Sequence, residues 1–314
     1  ANNLAIKGFF WQSGKKLIVT SAFEHHAVLD PIDWLKEHQG AEVIYTPVKR
    51  DGFIDLDFLK DVVAKRRDEI AVISIMHSNN ELGSIQPIAE VVQIAGAIPV
   101  HTDAVQSFGK VPFNFEELGV SAATLSAHKI GGPLGVAALV LKHGIDLAPL
   151  LHGGGQEREI RSGTINAPGI VAFAKAAEVA ISTRESNFKI IRELRDQLIT
   201  GLKDAVPDVI INSPADPALP GVVNISIPGT ESDALLLLLD SEGVSASAGS
   251  ACSAGVPRPS HVLIAMGIAE ELADASLRIS IGASNTRDEI KKVISLMPSV
   301  VERARNAFAV GKLS

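Results

Sequence analysis

The first part of the chain alternates short apolar runs with segments in which apolar residues recur every three or four positions. Apolar runs indicate buried strands, and the longer period indicates amphipathic helices. We predict strands at residues 17–22, 41–48, 71–77, 98–102, 122–126 and 135–141, and helices at 27–37, 56–65 and 88–94. Several strands are apolar throughout, which is typical of a parallel sheet covered on both faces. The pattern therefore predicts an α/β fold.

A different pattern follows a long amphipathic stretch at residues 170–206, which is predicted to be one long helix. The remaining elements are predicted strands at 209–212, 222–227 and 277–281 and predicted helices at 232–242 and 286–308. Strands and helices that do not alternate regularly indicate a smaller α+β domain. We therefore predict a large domain at residues 1–205 and a small C-terminal domain at residues 206–314.

Composition narrows the classes of protein that fit this pattern. The chain has 314 residues and a net charge of −7, which argues against a nucleic-acid-binding protein. The longest apolar run, at residues 234–239, is too short to cross a membrane, and the N-terminus does not resemble a signal peptide. A single cysteine excludes an internal disulfide framework, and with scattered histidines it offers no metal site. We expect a cytoplasmic protein without a bound metal.

Polar residues cluster where three predicted strands end, at residues 79–81, 101–106 and 126–129. Open α/β sheets bind ligands at this edge. Taken alone, Asp103 reads as a helix cap and Lys129 as a solvated lysine. Together they place a carboxylate and an amine at neighbouring strand ends. A pyridoxal cofactor needs both groups, an anion beside its ring nitrogen and an amine for its Schiff base.

Seven motifs in order carry a resemblance to a known family. They lie at residues 24–29, 79–83, 103–106, 126–129, 152–158, 161–164 and 250–252. In this order they resemble the cysteine desulfurases of the NifS/IscS type, which belong to the class V aminotransferase superfamily of fold-type I pyridoxal-phosphate enzymes. The resemblance runs from Asn2 to the final helix. It implies a large domain with a mainly parallel sheet flanked by helices, a smaller α+β domain, bound pyridoxal 5'-phosphate and L-cysteine as substrate.

The resemblance also implies roles for the residues around the cofactor ring. Lys129 would bind the cofactor as a Schiff base and later move the Cα proton of the substrate. Asp103 would pair with the pyridinium nitrogen, and Gln106 would hydrogen-bond the ring oxygen. His25 would stack on the ring and assist proton transfers. Asn80 would orient the ring oxygen and the substrate carboxylate.

The remaining carried-over roles concern the phosphate and the substrate. Ser126 and His128 would hold the phosphate, and Thr164 would reach the phosphate of a partner subunit, which implies a homodimer. Arg278 would bind the substrate carboxylate, a task that suits the bidentate guanidinium.

Cys252 lies in a run of small residues at 247–255. A lone cysteine is ordinarily a small buried apolar residue. The resemblance instead implies the nucleophile that takes the substrate sulfur as a persulfide, which requires the thiolate form. The persulfide would then pass to an iron–sulfur scaffold or to another acceptor, such as the machinery of tRNA thiolation.

Two alternatives and two departures from the family remain. The chain also fits a selenocysteine lyase or a class V aminotransferase, and a non-catalytic sulfur carrier on the same fold. It begins inside the family pattern, so that an early strand and a Gly-Ala-Thr phosphate loop are expected to precede Ala1. The link at residues 94–98 is shorter than in relatives. Replacement of Cys252 distinguishes a desulfurase from an aminotransferase, because an aminotransferase needs no thiol.

Overall fold

The protein is described by a computed structural model that covers residues 1–249 and 259–311. It forms two compact units. The first comprises residues 1–48, 53–79 and 85–184, and the second comprises 49–52, 80–84 and 185–314. The last passage of the chain from the first unit to the second lies inside the long helix, between Arg184 and Glu185. The domain limits at 205 and 206 stay a prediction.

A six-stranded sheet forms the centre of the first unit, in the order β2-β1-β3-β4-β5-β6. Its strands are β1 (Leu17–Ser21), β2 (Glu42–Thr46), β3 (Ile70–Ser74), β4 (Val100–Asp103), β5 (Ala122–Ser126) and β6 (Ala137–Leu141). All neighbours pair in parallel except β5 and β6, which are antiparallel. Every residue of β1 and β3 is buried, in agreement with their unbroken apolar runs. The predicted α/β class with a mainly parallel sheet is confirmed.

Helices cover this sheet, and most of them were predicted. They are α1 (Asn2–Ser13), α2 (His26–Gln39), α3 (Leu56–Arg66), α4 (Ile88–Ala95), α5 (Phe115–Leu118) and α6 (Ala167–Ala205). The sequence pattern did not predict α1 or the single turn α5. In α1 the residues Ile6, Phe9 and Phe10 are buried together with small neighbours, so the helix lacks a distinct polar face. Periodicity cannot reveal a helix that is buried on several sides.

The second unit contains a three-stranded antiparallel sheet in the order β7-β8-β9. Its elements are β7 (Ile210–Ile211), β8 (Val222–Ser226), α7 (Ser232–Ser241), α8 (His261–Ala265), α9 (Glu270–Asp274), β9 (Ser276–Ser280) and α10 (Arg287–Gly311). The C-terminal part of α6 joins its core, where Leu198 and Leu202 pack with Ile225, Leu277 and Met297. Among the described residues, no helix is long and apolar enough to span a bilayer.

Candidate functional site

The carboxyl ends of β1, β3, β4 and β5 lie at one edge of the parallel part of the sheet. Four candidate positions follow from this arrangement: His25 lies just after β1, Asn79 just after β3, Asp103 ends β4 and Ser126 ends β5. The pairing of Asp103 with Thr124 puts the ends of β4 and β5 side by side. The structure thus brings together within one unit the strand ends that the sequence predicted.

Asp103 is a buried carboxyl with only neutral hydrogen-bond donors. Its side chain is 6% exposed. The Asn2 side-chain amide donates to Oδ2 at 2.7 Å, and the Val105 backbone amide donates to Oδ1 at 2.9 Å. Burial raises the pKa of Asp103, although both hydrogen bonds act to lower it. A cation beside this carboxyl would therefore stabilise its charged form. Sequence reasoning did not find Asn2, because it lies 101 positions away in the chain.

His25 is held by the start of α2. The backbone amide of Ala27 donates to its Nδ1 at 3.0 Å, and His25 is the N-cap of the helix. An amide can only donate, so Nδ1 carries no proton in this geometry. His25 also lies close enough to Asp103 to influence the pKa of that carboxyl. His26 instead faces Asp30, with Nδ1 2.9 Å from Oδ1, and is exposed.

Glu24 is a further buried acid beside this edge, and its individual role was not predicted. It is fully buried, and its Oε1 accepts from the Met76 amide at 2.7 Å. Burial raises its pKa well above the ordinary value, and the nearby Asp103 raises it further. Through this hydrogen bond, Glu24 connects the loop before His25 with the residues that follow β3. Glu24 belongs to the sequence motif at residues 24–29, but the motif did not predict this contact.

Lys129 follows β5 in a single 3₁₀ turn, Ala127–Ile130. The turn ends at Gly131, whose φ of 82° favours glycine. Just before Lys129, the Ser126 hydroxyl lies 2.8 Å from Nδ1 of His128. Both His128 and Lys129 are exposed. Ser126, His128 and Lys129, predicted for the phosphate and the Schiff base, thus share one short segment.

Gln106 and Lys110 form a pair beside this segment. Lys110 Nζ donates to Gln106 Oε1 at 3.1 Å. Burial lowers the pKa of Lys110 to about 8, and the positive charge of Lys129 lowers it as well. The lysine predicted to bind the cofactor therefore has a second lysine within electrostatic range. Sequence reasoning missed Lys110, and the only signal for it was its spacing of four from Gln106.

The two asparagines after β3, Asn79 and Asn80, have different surroundings. Asn79 is fully buried, and its Nδ2 donates to the carbonyl of Phe23 at 3.0 Å. That bond ties the end of β3 to the loop before His25. Asn80 is half-buried and belongs to the second unit. Its predicted contact with the ring oxygen and the substrate stays a prediction.

Arg278 lies on β9 in the second unit, opposite Asn224 of β8. Its backbone forms two hydrogen bonds with Ser247, of 2.7 and 3.1 Å. Its Nε is buried and has no hydrogen-bond partner among the residues that the structure describes. A carboxylate would satisfy such a donor. This is consistent with the predicted role, which remains a prediction.

Cys252 lies outside the described residues, so its predicted role is not tested by the structure. The residues on either side of the gap are described, and they meet at Glu81. The Ser260 hydroxyl donates to Glu81 Oε2 at 2.5 Å, and a Cβ atom on Gly249 would lie 3.2 Å from the Ser260 Cβ. Glu81 is fully buried. The carboxylate of the motif at residues 79–83 therefore binds Ser260 on one flank of the cysteine segment, and Gly249 on the other flank lies close to this pair.

The loop after β6 carries two predicted motifs that contact each other. Gln156 Oε1 accepts from the Gly163 amide at 2.8 Å, and Ser162 Oγ accepts from the Gly155 amide at 3.3 Å. Thr164 follows on the exposed side of this loop. Its reach to a partner's phosphate stays a prediction.

A row of hydrogen bonds crosses the sheet beneath the candidate site. His101 on β4 is fully buried, with Nδ1 2.8 Å from Ser74 Oγ on β3 and Nε2 3.0 Å from Thr124 Oγ1 on β5. Burial lowers the pKa of His101 to about 3. The row fixes three adjacent strands two residues before Asp103. The ring is therefore neutral near pH 7.

The neutral His101 is expected to make the stability of the protein pH-dependent. Its pKa is about 3 in the folded state and near 6.5 when unfolded, so protons favour the unfolded chain as the pH falls below 6.5. Between pH 7.5 and 5.0 this linkage costs about 2 kcal/mol of unfolding free energy. We expect His101→Asn to be destabilised at pH 7.5 but to lose about 2 kcal/mol less than the wild type on acidification. Urea unfolding at both pH values measures the difference.

The control for this experiment is His143→Asn. His143 is exposed. The variant leaves the buried His101 unchanged and should retain the wild-type pH dependence. Equal pH dependence in the wild type and in His101→Asn would contradict the prediction.

Comparison with known proteins places these motifs in a wider context. A family model described as aminotransferase class-V matches residues 1–293. An IscS-like cysteine desulfurase of Mycobacterium tuberculosis is 43% identical over 98% of this chain and 80% of that protein. The cysteine desulfurase IscS of Dictyoglomus turgidum is 44% identical over 97% of this chain and 77% of its own length.

Solved structures are also similar to this chain. One described as a NifS-like protein superposes with a TM-score of 0.87 at 35% identity, over 96% of this chain and 80% of its own. The crystal structure of DndA from Streptomyces lividans gives a TM-score of 0.73 at 35% identity, over 89% of this chain and 79% of that one. The motifs described above therefore occur in a chain that is similar to these proteins along nearly its whole length.

Proposed function

Because the chain belongs to the class-V aminotransferase family, we propose that it is a pyridoxal-phosphate-dependent cysteine desulfurase. It would take sulfur from L-cysteine onto Cys252 and release L-alanine. One observation carries the proposal: buried Asp103 ends β4, and Lys129 follows the end of the adjacent strand β5.

The residues at this edge fit pyridoxal phosphate chemically. Asp103 has no cationic hydrogen-bond donor among the described residues, and burial raises the pKa of its carboxyl. A protonated pyridine nitrogen would supply the missing cation. Each carboxylate oxygen can accept a second hydrogen bond. Ser126 and His128 supply polar groups for a phosphate beside Lys129.

When bound, the cofactor supplies an aldehyde for an amine and a charged ring that withdraws electrons from the substrate Cα. The chain's own residues do the rest. Lys129 Nζ would hold the cofactor through its aldehyde and would move the Cα proton of the substrate. Asp103 would hold the ring nitrogen and, through its negative charge, favour its protonated form. His25, with Nδ1 bound by the Ala27 amide, can exchange a proton only at Nε2.

The sulfur transfer itself uses Cys252. Its thiolate attacks the sulfur of L-cysteine, so that a sulfur–sulfur bond forms as the substrate carbon–sulfur bond breaks. The electron pair of the broken bond stays with the carbon fragment, which takes up protons and leaves as L-alanine. Arg278 would hold the substrate carboxylate during this step, and Asn80 would orient it. The product on the protein is a Cys252 persulfide.

Several finer parts of the proposal concern partners. Thr164 would contact the phosphate bound by a second copy of the chain in a homodimer. The persulfide sulfur would pass to an acceptor protein. The expected acceptor is a scaffold for iron–sulfur cluster assembly. This use of sulfur requires a reducing compartment, so we place the protein in the cytoplasm.

A visible absorption spectrum tests the proposed function. Pyridoxal phosphate added to the purified protein is expected to give a band that free cofactor does not show, and L-cysteine should alter the band while L-alanine accumulates. L-serine is the matched control substrate, because it has oxygen in place of sulfur. It should alter the band without giving L-alanine. A spectrum identical to that of free cofactor would overturn the proposal.

A further inference from the structure

The turn after β4 presents Gln106 and Lys110 on the same side. Backbone hydrogen bonds from Phe108 to Ala104 and from Val111 to Ser107 wind residues 104–111 into helical turns. Residues four apart are neighbours on such turns. The result is the 3.1 Å bond from Lys110 Nζ to Gln106 Oε1. Both side chains are half-buried.

Gly109 brings this turn close to the segment that carries Lys129. A Cβ atom on Gly109 would lie 3.0 Å from Ile130 Cγ2 and 2.9 Å from the Ala180 Cβ. Its φ of 75° also favours glycine. The close approach explains why the positive charge of Lys129 lowers the pKa of Lys110. Lys110 therefore belongs to the surroundings of the candidate site, although no motif marked it.

The chemistry of the pair decides how Gln106 can act. A side-chain amide has one accepting oxygen and one donating nitrogen, and either can face a ligand. An ammonium group only donates. Lys110 therefore holds Oε1 of Gln106, which leaves Nε2 as the group that can face outward. A donor suits the anionic ring oxygen of a pyridoxal cofactor, whereas an accepting oxygen would repel it.

We propose that Lys110 is a positioning residue that fixes the Gln106 amide as a hydrogen-bond donor toward the ring oxygen of the cofactor. The inference rests on the proposed function, because it assigns a role within the same site. Lys110 acts through Gln106 and does not itself touch the cofactor. A purely structural lysine would have no effect on the cofactor's electronic properties.

The pH midpoint of the cofactor's visible band tests this role. Lys110→Met removes the group that orients Gln106, so the donor to the ring oxygen is lost. The ring oxygen then becomes more basic, and we expect the midpoint to rise by about one pH unit. The dissociation constant for pyridoxal phosphate should rise on the order of 10-fold, since a hydrogen bond to a charged group is lost. Lys110→Arg keeps a charged donor and is expected to retain most of the wild-type midpoint.

A double-mutant cycle separates action through Gln106 from a direct effect of charge. Gln106→Met should raise the midpoint as Lys110→Met does, and the double variant should shift it no further than the larger single change. Lys65→Met is the matched control. Lys65 also lies four residues after its partner, Asp61, but its side chain is 74% exposed. The control should keep the wild-type midpoint.

The outcomes distinguish this inference from the proposed function. If the wild type forms no band with pyridoxal phosphate, both are overturned. If the wild type forms the band and Lys110→Met leaves its midpoint unchanged, only the role of Lys110 is overturned. Additive shifts in the double variant would also overturn it. Lys110→Leu, which likewise carries no hydrogen-bond donor, serves the same test should Lys110→Met fail to fold.

Discussion

Lys129→Ala is expected to abolish both the visible band and the release of sulfide from L-cysteine. The proposed function uses Lys129 twice, first to hold the cofactor covalently and then to move the Cα proton. Proton transfer alone contributes 10²- to 10⁴-fold to such reactions. We therefore expect activity to fall by on the order of 10³-fold or more at saturating cofactor. L-alanine production measures it, as does sulfide production when a reductant is present to release the persulfide sulfur.

The fold should survive the Lys129 substitution, because the side chain is exposed and follows the end of a strand whose core residues are unchanged. Lys142→Ala is the matched control. Lys142 is an exposed lysine directly after β6. It should keep both the band and the activity. A protein-dependent band in Lys129→Ala, with sulfide release near the wild-type rate, would contradict the assignment of Lys129.

Cys252→Ala is expected to keep the visible band of the bound cofactor but to lose sulfur transfer. The variant should bind pyridoxal phosphate and give the band of the wild type, because Lys129 and Asp103 are intact. Sulfide release from L-cysteine in the presence of a phosphine reductant should fall by on the order of 10³-fold, since the chain has no other cysteine whose thiolate could attack the substrate sulfur. An aminotransferase of the same family would keep its activity in this variant.

The single cysteine makes this experiment unambiguous. After wild-type protein meets L-cysteine, mass spectrometry should show one additional sulfur atom on the peptide that contains Cys252. An alkylating reagent applied beforehand should prevent that gain. Ser253→Ala is the neighbouring control and should behave as the wild type. A peptide containing Cys252 that gains no sulfur, or full sulfide release by Cys252→Ala, would contradict the assignment of the nucleophile.

Much of the fold could be predicted because its signals are local. The strands β1, β3 and β5 are short apolar runs, and buried parallel strands need little more than such runs and the helices between them. Asp103 and Lys129 could be placed at one edge from the sequence, since parallel strands that alternate with helices end on the same side of a sheet. The order of the seven motifs added the family and, with it, the expected roles.

Other features depended on contacts between distant parts of the chain. Helix α1 was not predicted because its buried residues show no polar face. The bond from Asn2 to Asp103 joins positions 101 apart, and the bond from Ser260 to Glu81 joins positions 179 apart. No periodicity or spacing encodes such pairs, because they exist only once the elements have packed.

The sequence by itself determined the class of fold, the family and the identity of the groups at the sheet edge, because apolar patterning and motif order are properties of the chain. Only the tertiary structure decided the state of those groups. Burial, rather than residue type, raises the pKa of Asp103 and lowers that of Lys110 to about 8. Packing at Gly109 brings Lys110 close to Lys129, because two turns can approach closely only where no side chain separates them.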